Sequence, residues 1–357
     1  MQVKNISNIQ YFLEKTEIID SPYEYTVKYK ENQEQIKYKS APTFIIEFTN
    51  CIVNGIIPFL ITEENDLITE HIGPLNYKTK EKPKKIPHSF WTKWTDPMNI
   101  KVARINKSFN ESDKFVWLPI DPNSANNPWH VWIDIISKFR LLEKRYAKRY
   151  TEFVYILSHP SPYFDKVVKE CFPNLKYFVM ETNDCWSFTH LIVPSMSNSN
   201  DGVTVPLLPQ WLRTRFAPKP NQVKKIFLDR KTGSRRLSNR DEVIAILKGW
   251  EVVAMENLSI KDQMETFATA SHIISTHGAG LINLLWCKKN TKIIEIAHKY
   301  TAKKVYPVLG HHLNLNYKVL IGDAIEIPKT TGTKKFKRLN DYNNIKLNSN
   351  ILLQNLD

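Results

Sequence analysis

The chain has 357 residues, 42% of them hydrophobic, with nine Trp, fifteen Tyr and seventeen Phe, and a formal net charge of +14. That length exceeds one ordinary domain and points to two, and the aromatic content excludes a disordered chain. The charge favours acidic partners such as phosphorylated small molecules, nucleic acid or an anionic membrane surface, although most of it lies in diffuse lysine runs that read as solvated faces. Cys51, Cys171, Cys185 and Cys287 are far apart and form no metal-ligand spacing, so the reading is of isolated thiols in a reducing compartment. The first residues lack the apolar core of a leader, and no uncharged run approaches the roughly 18–20 residues that span a bilayer. The expectation is a soluble, cytoplasmic protein, with at most peripheral membrane contact.

In chain order, residues 1–42 read as an irregular polar arm. Residues 43–200 come next as a first α/β domain. It opens with β-rich runs around Asn54-Gly55 and Asn65-Asp66 that predict hairpins, and a basic loop over residues 78–87 succeeds them. Residues 115–119 predict a strand. Asn127-Pro128 then opens the longest helix, with Asn as N-cap and Pro at the first helical position. Strands are expected at 153–157, 177–180 and 191–193, with a helix at 163–171. Residues 201–222 read as the linker between the domains, and the stretch from Ser195 to Gly202 as flexible.

The second domain, residues 223–328, alternates strictly. Strands fall at 226–228, 252–254, 273–275, 293–296 and 317–320. The helices between them include one capped by Asn239, with Asp241 and Glu242 in its first turn, and one started by Ser259 and Asp262. Strict alternation predicts a parallel, doubly wound sheet whose ligand sits at the carboxyl edge of the strands. Residues 329–357 read as a polar tail that either docks or stays mobile.

Three constellations carry chemistry. The first is Thr276-His277-Gly278-Ala279-Gly280-Leu281, with Asn283 beyond it. It comes after a buried strand and is expected to open a helix, where backbone amides attract anions and glycines let a ligand approach the main chain. Glu295, expected at the tip of the next strand, is placed to hold ribose hydroxyls. The second is the loop with Arg230, Ser234, Arg235 and Arg236, whose guanidinium forks match phosphate oxygens. The third is the long helix, where Asn127, His130, Asp134 and Lys138 share one face. His130 lies in the first turn, where the dipole favours a neutral imidazole, and Asp134 one turn on can orient it or act as base itself.

A dinucleotide fingerprint needs a third glycine where Asn283 stands, and needs it after the first strand of the domain, so a nucleotide-dependent oxidoreductase loses on both counts. No P-loop, nucleophile elbow or Asp-x-Asp occurs, and no recognition helix or zinc module supports a nucleic-acid domain. A non-catalytic glycan- or nucleic-acid-binding protein on the same scaffold remains the other class open to this sequence.

The blocks Asn127-Pro128-Trp129-His130 through Asp134, Arg230 through Asn239, His277 through Asn283, and Ile294-Glu295-Ile296 occur in an order that resembles glycosyltransferase family 61. The resemblance runs from about residue 50 to 320, and the His277 block is its most specific part. Pro128-Trp129 replaces the commoner small or aromatic pair, and Lys138 stands where Arg is usual. Family membership implies a GT-B fold of two Rossmann-like domains facing a cleft, and an inverting enzyme that needs no metal or cofactor. It also implies a UDP-sugar donor, with xylose or N-acetylglucosamine favoured, and a glycan or glycoconjugate acceptor. Carried onto this chain, His130 and Asp134 become the catalytic pair and Asn127 an acceptor-side residue. Arg230, Ser234, Arg235, Arg236, Thr276, His277, Gly278, Ala279, Gly280, Leu281, Asn283 and Glu295 become the donor site.

Overall fold

The computed structural model describes residues 3–4, 16–21, 24–28, 35–39, 43–55, 60–63, 67–68, 104–110, 114–120, 125–181, 184–195, 206–220, 222–299, 305–325 and 344–356. The turn expected at Asn65-Asp66, the basic loop at 78–87 and most of the stretch from Ser195 to Gly202 lie outside these residues. The protein is mixed α/β and divides into two compact units, Met1–Tyr25 with Tyr38–Leu208, and Thr26–Lys37 with Pro209–Asp357. Among the described residues no helix is long and apolar enough to cross a membrane.

The first unit centres on a mixed sheet rather than a doubly wound one. Cys185–Pro194 runs antiparallel to Thr43–Asn54 but parallel to Phe115–Leu118, and Val154–Leu157 and Lys176–Val179 continue the parallel side. Expected from Leu191-Ile192-Val193 alone, that central strand has ten residues. Its polar positions Ser187, Thr189 and His190 interrupt the apolar run and conceal its length. The arm is not irregular either, because Thr16–Asp20 pairs antiparallel with Thr43–Asn54. A charged clasp holds it there. Asp20 accepts from Arg140 Nη1 (2.7 Å), Arg140 Nη2 (3.1 Å), Lys144 Nζ (2.7 Å) and Thr43 Oγ1 (2.6 Å). Gly55 marks a close approach more than a turn, since a Cβ there would lie 2.1 Å from the Glu181 carbonyl oxygen.

The second unit keeps its predicted alternation. Its sheet runs Glu251–Val253, Lys224–Leu228, Ala270–Thr276, Lys292–His298, Asn316–Ile325 and Asn344–Lys346, parallel except for the last strand. In chain order this is 2-1-3-4-5-6. The order therefore reverses between Lys224–Leu228 and Ala270–Thr276, and in open α/β sheets the crevice at such a switch point receives the ligand.

The tail docks over residues 344–356. Ile345, Leu347 and Leu352 are buried with Phe227, Leu237 and Val243 in one apolar cluster. Burying each contributes about 1.5–3 kcal/mol as an upper estimate, enough to hold a short polar segment in place. This also corrects the reading of Asn239. Its side chain does not cap the helix Arg240–Ile246 but bonds Leu347, donating to the carbonyl (2.8 Å) and accepting from the amide (3.1 Å).

Candidate functional site

The switch-point edge brings two of the three constellations together. Leu228 and Ser275 are register partners on adjacent parallel strands, so the arginine loop and the His277 turn leave the sheet side by side. The base of the arginine loop is fixed by buried Asp229, which accepts from Arg240 Nε (2.9 Å) and Nη2 (2.8 Å). Its far end is fixed by the tail, where the Arg236 amide donates to Asn344 Oδ1 (3.0 Å) and the Arg236 carbonyl accepts from the Ile345 amide (2.8 Å). Between these anchors Gly233 and Arg235 take left-handed conformations, φ 75° and 60°. For glycine this is unstrained, whereas for arginine it is uncommon and points to a conformation imposed by its surroundings.

Arg230 turns inward. Its Nη1 donates to the His277 carbonyl (3.4 Å), and a Cβ at Gly278 would sit 2.2 Å from the same nitrogen. A side chain at Gly278 would therefore displace the guanidinium lying over it. Burial pulls the Arg230 pKa down, and the neighbouring charge of Arg235 acts in the same direction. Among the described residues Arg230 has no carboxylate within ion-pair distance. Two guanidiniums brought together with partial desolvation make a site that an anion stabilises. Ser234 is half-buried in the same loop and Arg236 is exposed.

The turn itself differs from the expected α-helix start. Ala279–Trp286 is a 3₁₀ helix whose first internal bond runs from the Leu281 amide to the Gly278 carbonyl (3.0 Å), leaving the amides of Gly278, Ala279 and Gly280 ahead of the ladder. Nothing lies within 4 Å of a Cβ placed at Gly280. Thr276 Oγ1 is buried without a partner among the described residues. Leu281 and Asn283 are buried as well, and Asn283 accepts from Trp286 Nε1 (3.0 Å) and donates to Gln263 Oε1 (3.2 Å). Their place is in the core beneath the turn, so they support the switch-point edge rather than line it.

Glu295 is the clearest departure. It lies inside the strand Lys292–His298, fully buried, with His277 Nδ1 bonded to one carboxylate oxygen and Tyr317 Oη donating to the other (2.7 Å). Both oxygens are occupied, so the residue orients His277 instead of reaching a ribose. Tyr306 packs its ring edge-on to His277, 5.2 Å between centroids, and burial followed by the charge of Glu295 pushes its phenol up. Sequence reasoning passed over Tyr306 and Tyr317. Their only signal was a lone tyrosine in a short helix and in a strand, which core packing explains equally well.

The third constellation sits in the first unit. Asn127 caps its helix as predicted, accepting from the Trp129 amide (3.0 Å), so its side-chain oxygen is engaged in the fold. The helix begins with an α turn, Pro128–His130, widens to a π-helical segment, Val131–Ile136, and continues as α-helix Ser137–Tyr146. Such widened turns recur at functional sites. Within this one His130 Nδ1 donates to Asp134 Oδ2 at 2.6 Å, with 37% and 18% of the two side chains exposed. Lys138, expected on the same polar face, is instead 1% exposed. Widening by a residue rotates the later turns of the helix and takes Lys138 out of the stripe.

Among the described residues no group of His, Cys, Asp and Glu is arranged to hold a metal ion. A groove of about 850 Å³ lined by Trp250, His272, Lys292, Asn316 and Lys318 lies at the opening ends of the second unit's strands, away from the switch-point loops.

Two comparisons bear on identity. Residues 128–294 match the model of the Glycosyltransferase 61 family, a span that begins at the π-widened helix and ends beside Glu295. Over 103 residues the chain is 29% identical to a rice protein, the beta-1,2-xylosyltransferase RCN11 of Oryza sativa subsp. japonica, a match that takes in 26% of this chain and 18% of the rice protein. Residues 128–294 are thus similar to a glycosyltransferase family 61 domain, and the rice relative is matched over less than a fifth of its own length.

Proposed function

We propose that the protein is an inverting, metal-independent glycosyltransferase of GT-B architecture, moving a sugar from a UDP-sugar to a carbohydrate hydroxyl. The observation that carries this reading is the pairing of Arg230 with Gly278 at the switch point, where a desolvated guanidinium lies over a turn of open amides. A nucleotide diphosphate supplies negative charge to Arg230 and Arg235 beyond the influence that Glu256 already has on Arg230. Arg230, Arg235 and the amides of Gly278 to Gly280 stabilise the departing UDP, and preorganised positive groups serve in place of a metal ion. The resemblance to a xylosyltransferase favours xylose as the sugar, with N-acetylglucosamine next.

On the acceptor side, His130 is the base. Its Nδ1 proton is held by Asp134, which makes Nε2 the basic nitrogen, and the imidazole is the more exposed member of the pair. The acceptor hydroxyl loses its proton to His130 as it attacks the anomeric carbon. The bond to the diphosphate oxygen breaks on the opposite face, which inverts the centre.

Isothermal titration with UDP in the presence of EDTA tests the donor half of the reading. Micromolar binding that added Mn²⁺ leaves unchanged is the expected result, whereas binding that appears only with the metal overturns metal independence. Release of UDP from UDP-xylose, UDP-GlcNAc and other donors then identifies the sugar.

A further inference from the structure

The far end of the arginine loop is held by residues more than a hundred positions away. The Arg236 amide donates to Asn344 Oδ1 (3.0 Å), and the Arg236 carbonyl accepts from the Ile345 amide (2.8 Å). Two residues on, the Ser238 amide donates to the Ile345 carbonyl (2.8 Å), and Leu237 forms a parallel bridge with Ile345. The tail segment is itself firmly seated. Ile345 and Leu347 are buried, and Asn344–Lys346 pairs antiparallel with the end of Asn316–Ile325. Gly322 admits it, since a Cβ there would lie 2.6 Å from the Lys346 carbonyl oxygen. Residues 344–347 fall outside the stretch 128–294 that matches the family, so the resemblance assigns them no role.

The bond to Asn344 acts on one particular dihedral. The Arg236 amide shares a rigid peptide plane with the Arg235 carbonyl, and rotation about ψ of Arg235 is what turns that plane. Fixing the amide therefore fixes ψ at Arg235, the residue whose φ is 60°. A residue with a Cβ stays in that region only where its surroundings hold it. Burial is the main cause of the pKa shifts at Arg230 and Tyr306, and the charge of Arg235 acts on both, so its guanidinium lies near the switch-point edge.

Resting on the donor-site reading above, we propose that Asn344 is a positioning residue for donor binding. Through the Arg236 amide it locks Arg235 in the left-handed conformation that presents its guanidinium to the diphosphate. The tail strand thereby preorganises the arginine loop, and the cost of ordering it falls on folding instead of on binding. Asn344 touches no atom of the donor and acts only through Arg235.

Truncating the tail would open the apolar cluster it completes, so the test is Asn344→Ala, which leaves buried Ile345 and Leu347 in place. Calorimetric titration with UDP is run on the full chain as wild type, Asn344→Ala, Arg235→Ala and the double variant, each first shown by a thermal melt to be folded at the titration temperature. Asn344→Ala is expected to weaken UDP binding by about five- to thirtyfold, the factor that corresponds to the cost of one left-handed residue with a Cβ. Arg235→Ala is expected to weaken it by about thirtyfold, the loss of one charge-assisted contact. In the Arg235→Ala background Asn344→Ala is expected to have no further effect, a non-additivity that a general loosening of the fold would not produce. Wild-type affinity in either single variant, or an Asn344→Ala loss of the same size in both backgrounds, overturns this proposal, and UDP binding by wild type leaves the donor site standing. Failure of wild type to bind UDP overturns the donor site itself.

Discussion

The His130 pair and the His277 cluster solve the same problem, holding an imidazole against a carboxylate, by opposite means. His130 and Asp134 are four residues apart on one helix. His277 draws on Arg230, Glu295 and, through Glu295, Tyr317, with separations of 47, 18 and 22 residues along the three links. The first pair is local and half-exposed, and it depends on helix geometry. The second is assembled by the sheet and buried, so it depends on strand order. A local exposed pair suits a group that must reach an acceptor and exchange a proton. An assembled buried cluster suits preorganisation around a leaving group.

The largest expected effect belongs to the local pair. His130→Gln should lower kcat by roughly 10²- to 10⁴-fold, the usual contribution of a positioned base, with UDP affinity unchanged by titration calorimetry. Asp134→Asn should cost less, because the imidazole remains. A larger loss in Asp134→Asn than in His130→Gln would make Asp134 the base and reverse the two roles. Arg230→Ala should act the other way round. It should weaken UDP binding by about 2 kcal/mol, roughly thirtyfold, as expected for loss of one charge-assisted contact. Unchanged UDP affinity in that variant would remove the diphosphate from the switch-point edge.

The two glycines sharpen the assembled site further. Gly278→Ala forces the Arg230 guanidinium aside, whereas Gly280→Ala meets nothing in the protein. Gly280→Ala should therefore leave the thermal midpoint where it is and weaken donor binding about three- to tenfold, because only a ligand can collide with its methyl. If Gly280→Ala binds donor as wild type does, the ligand does not approach the backbone there.

The same contrast governs what the sequence disclosed. Strand alternation in the second unit, the Asn127 and Ser259 caps and the His130–Asp134 spacing are short-range patterns, and each was legible. Adjacency of the arginine loop and the glycine turn was also legible, because alternation with right-handed crossovers leaves few strand orders. Glu295 was misplaced because a strand boundary moved by two residues turns a tip into an interior position. The ten-residue strand Cys185–Pro194 and the arm strand Thr16–Asp20 are paired antiparallel at long range, and their polar residues hid them. The π-widened turn left no sequence signal at all, since every residue in it except Asp134 is apolar and buried, as in an ordinary core helix.

The smallest expected effect concerns what anchors the His130 helix. Burial alone would raise the Asp20 carboxyl, but hydrogen bonds from Arg140, Lys144 and Thr43 outweigh it and hold the group well below the usual carboxylate range. A carboxylate depressed in the folded state contributes stability above its unfolded pKa of about 3.9 and loses it as pH falls through the lower folded value. Asp20→Asn should accordingly unfold more easily at pH 7, by on the order of 1–2 kcal/mol in urea melts, because it keeps the shape but loses the charge on which Arg140 and Lys144 converge. Below about pH 4 that difference should shrink as the wild-type carboxylate begins to protonate in the unfolded chain. The substitution should also leave UDP affinity untouched, since the clasp belongs to the first unit and the arginine loop to the second. A change in UDP affinity without a change in stability would mean that the His130 helix and the switch-point edge are not energetically separate structures.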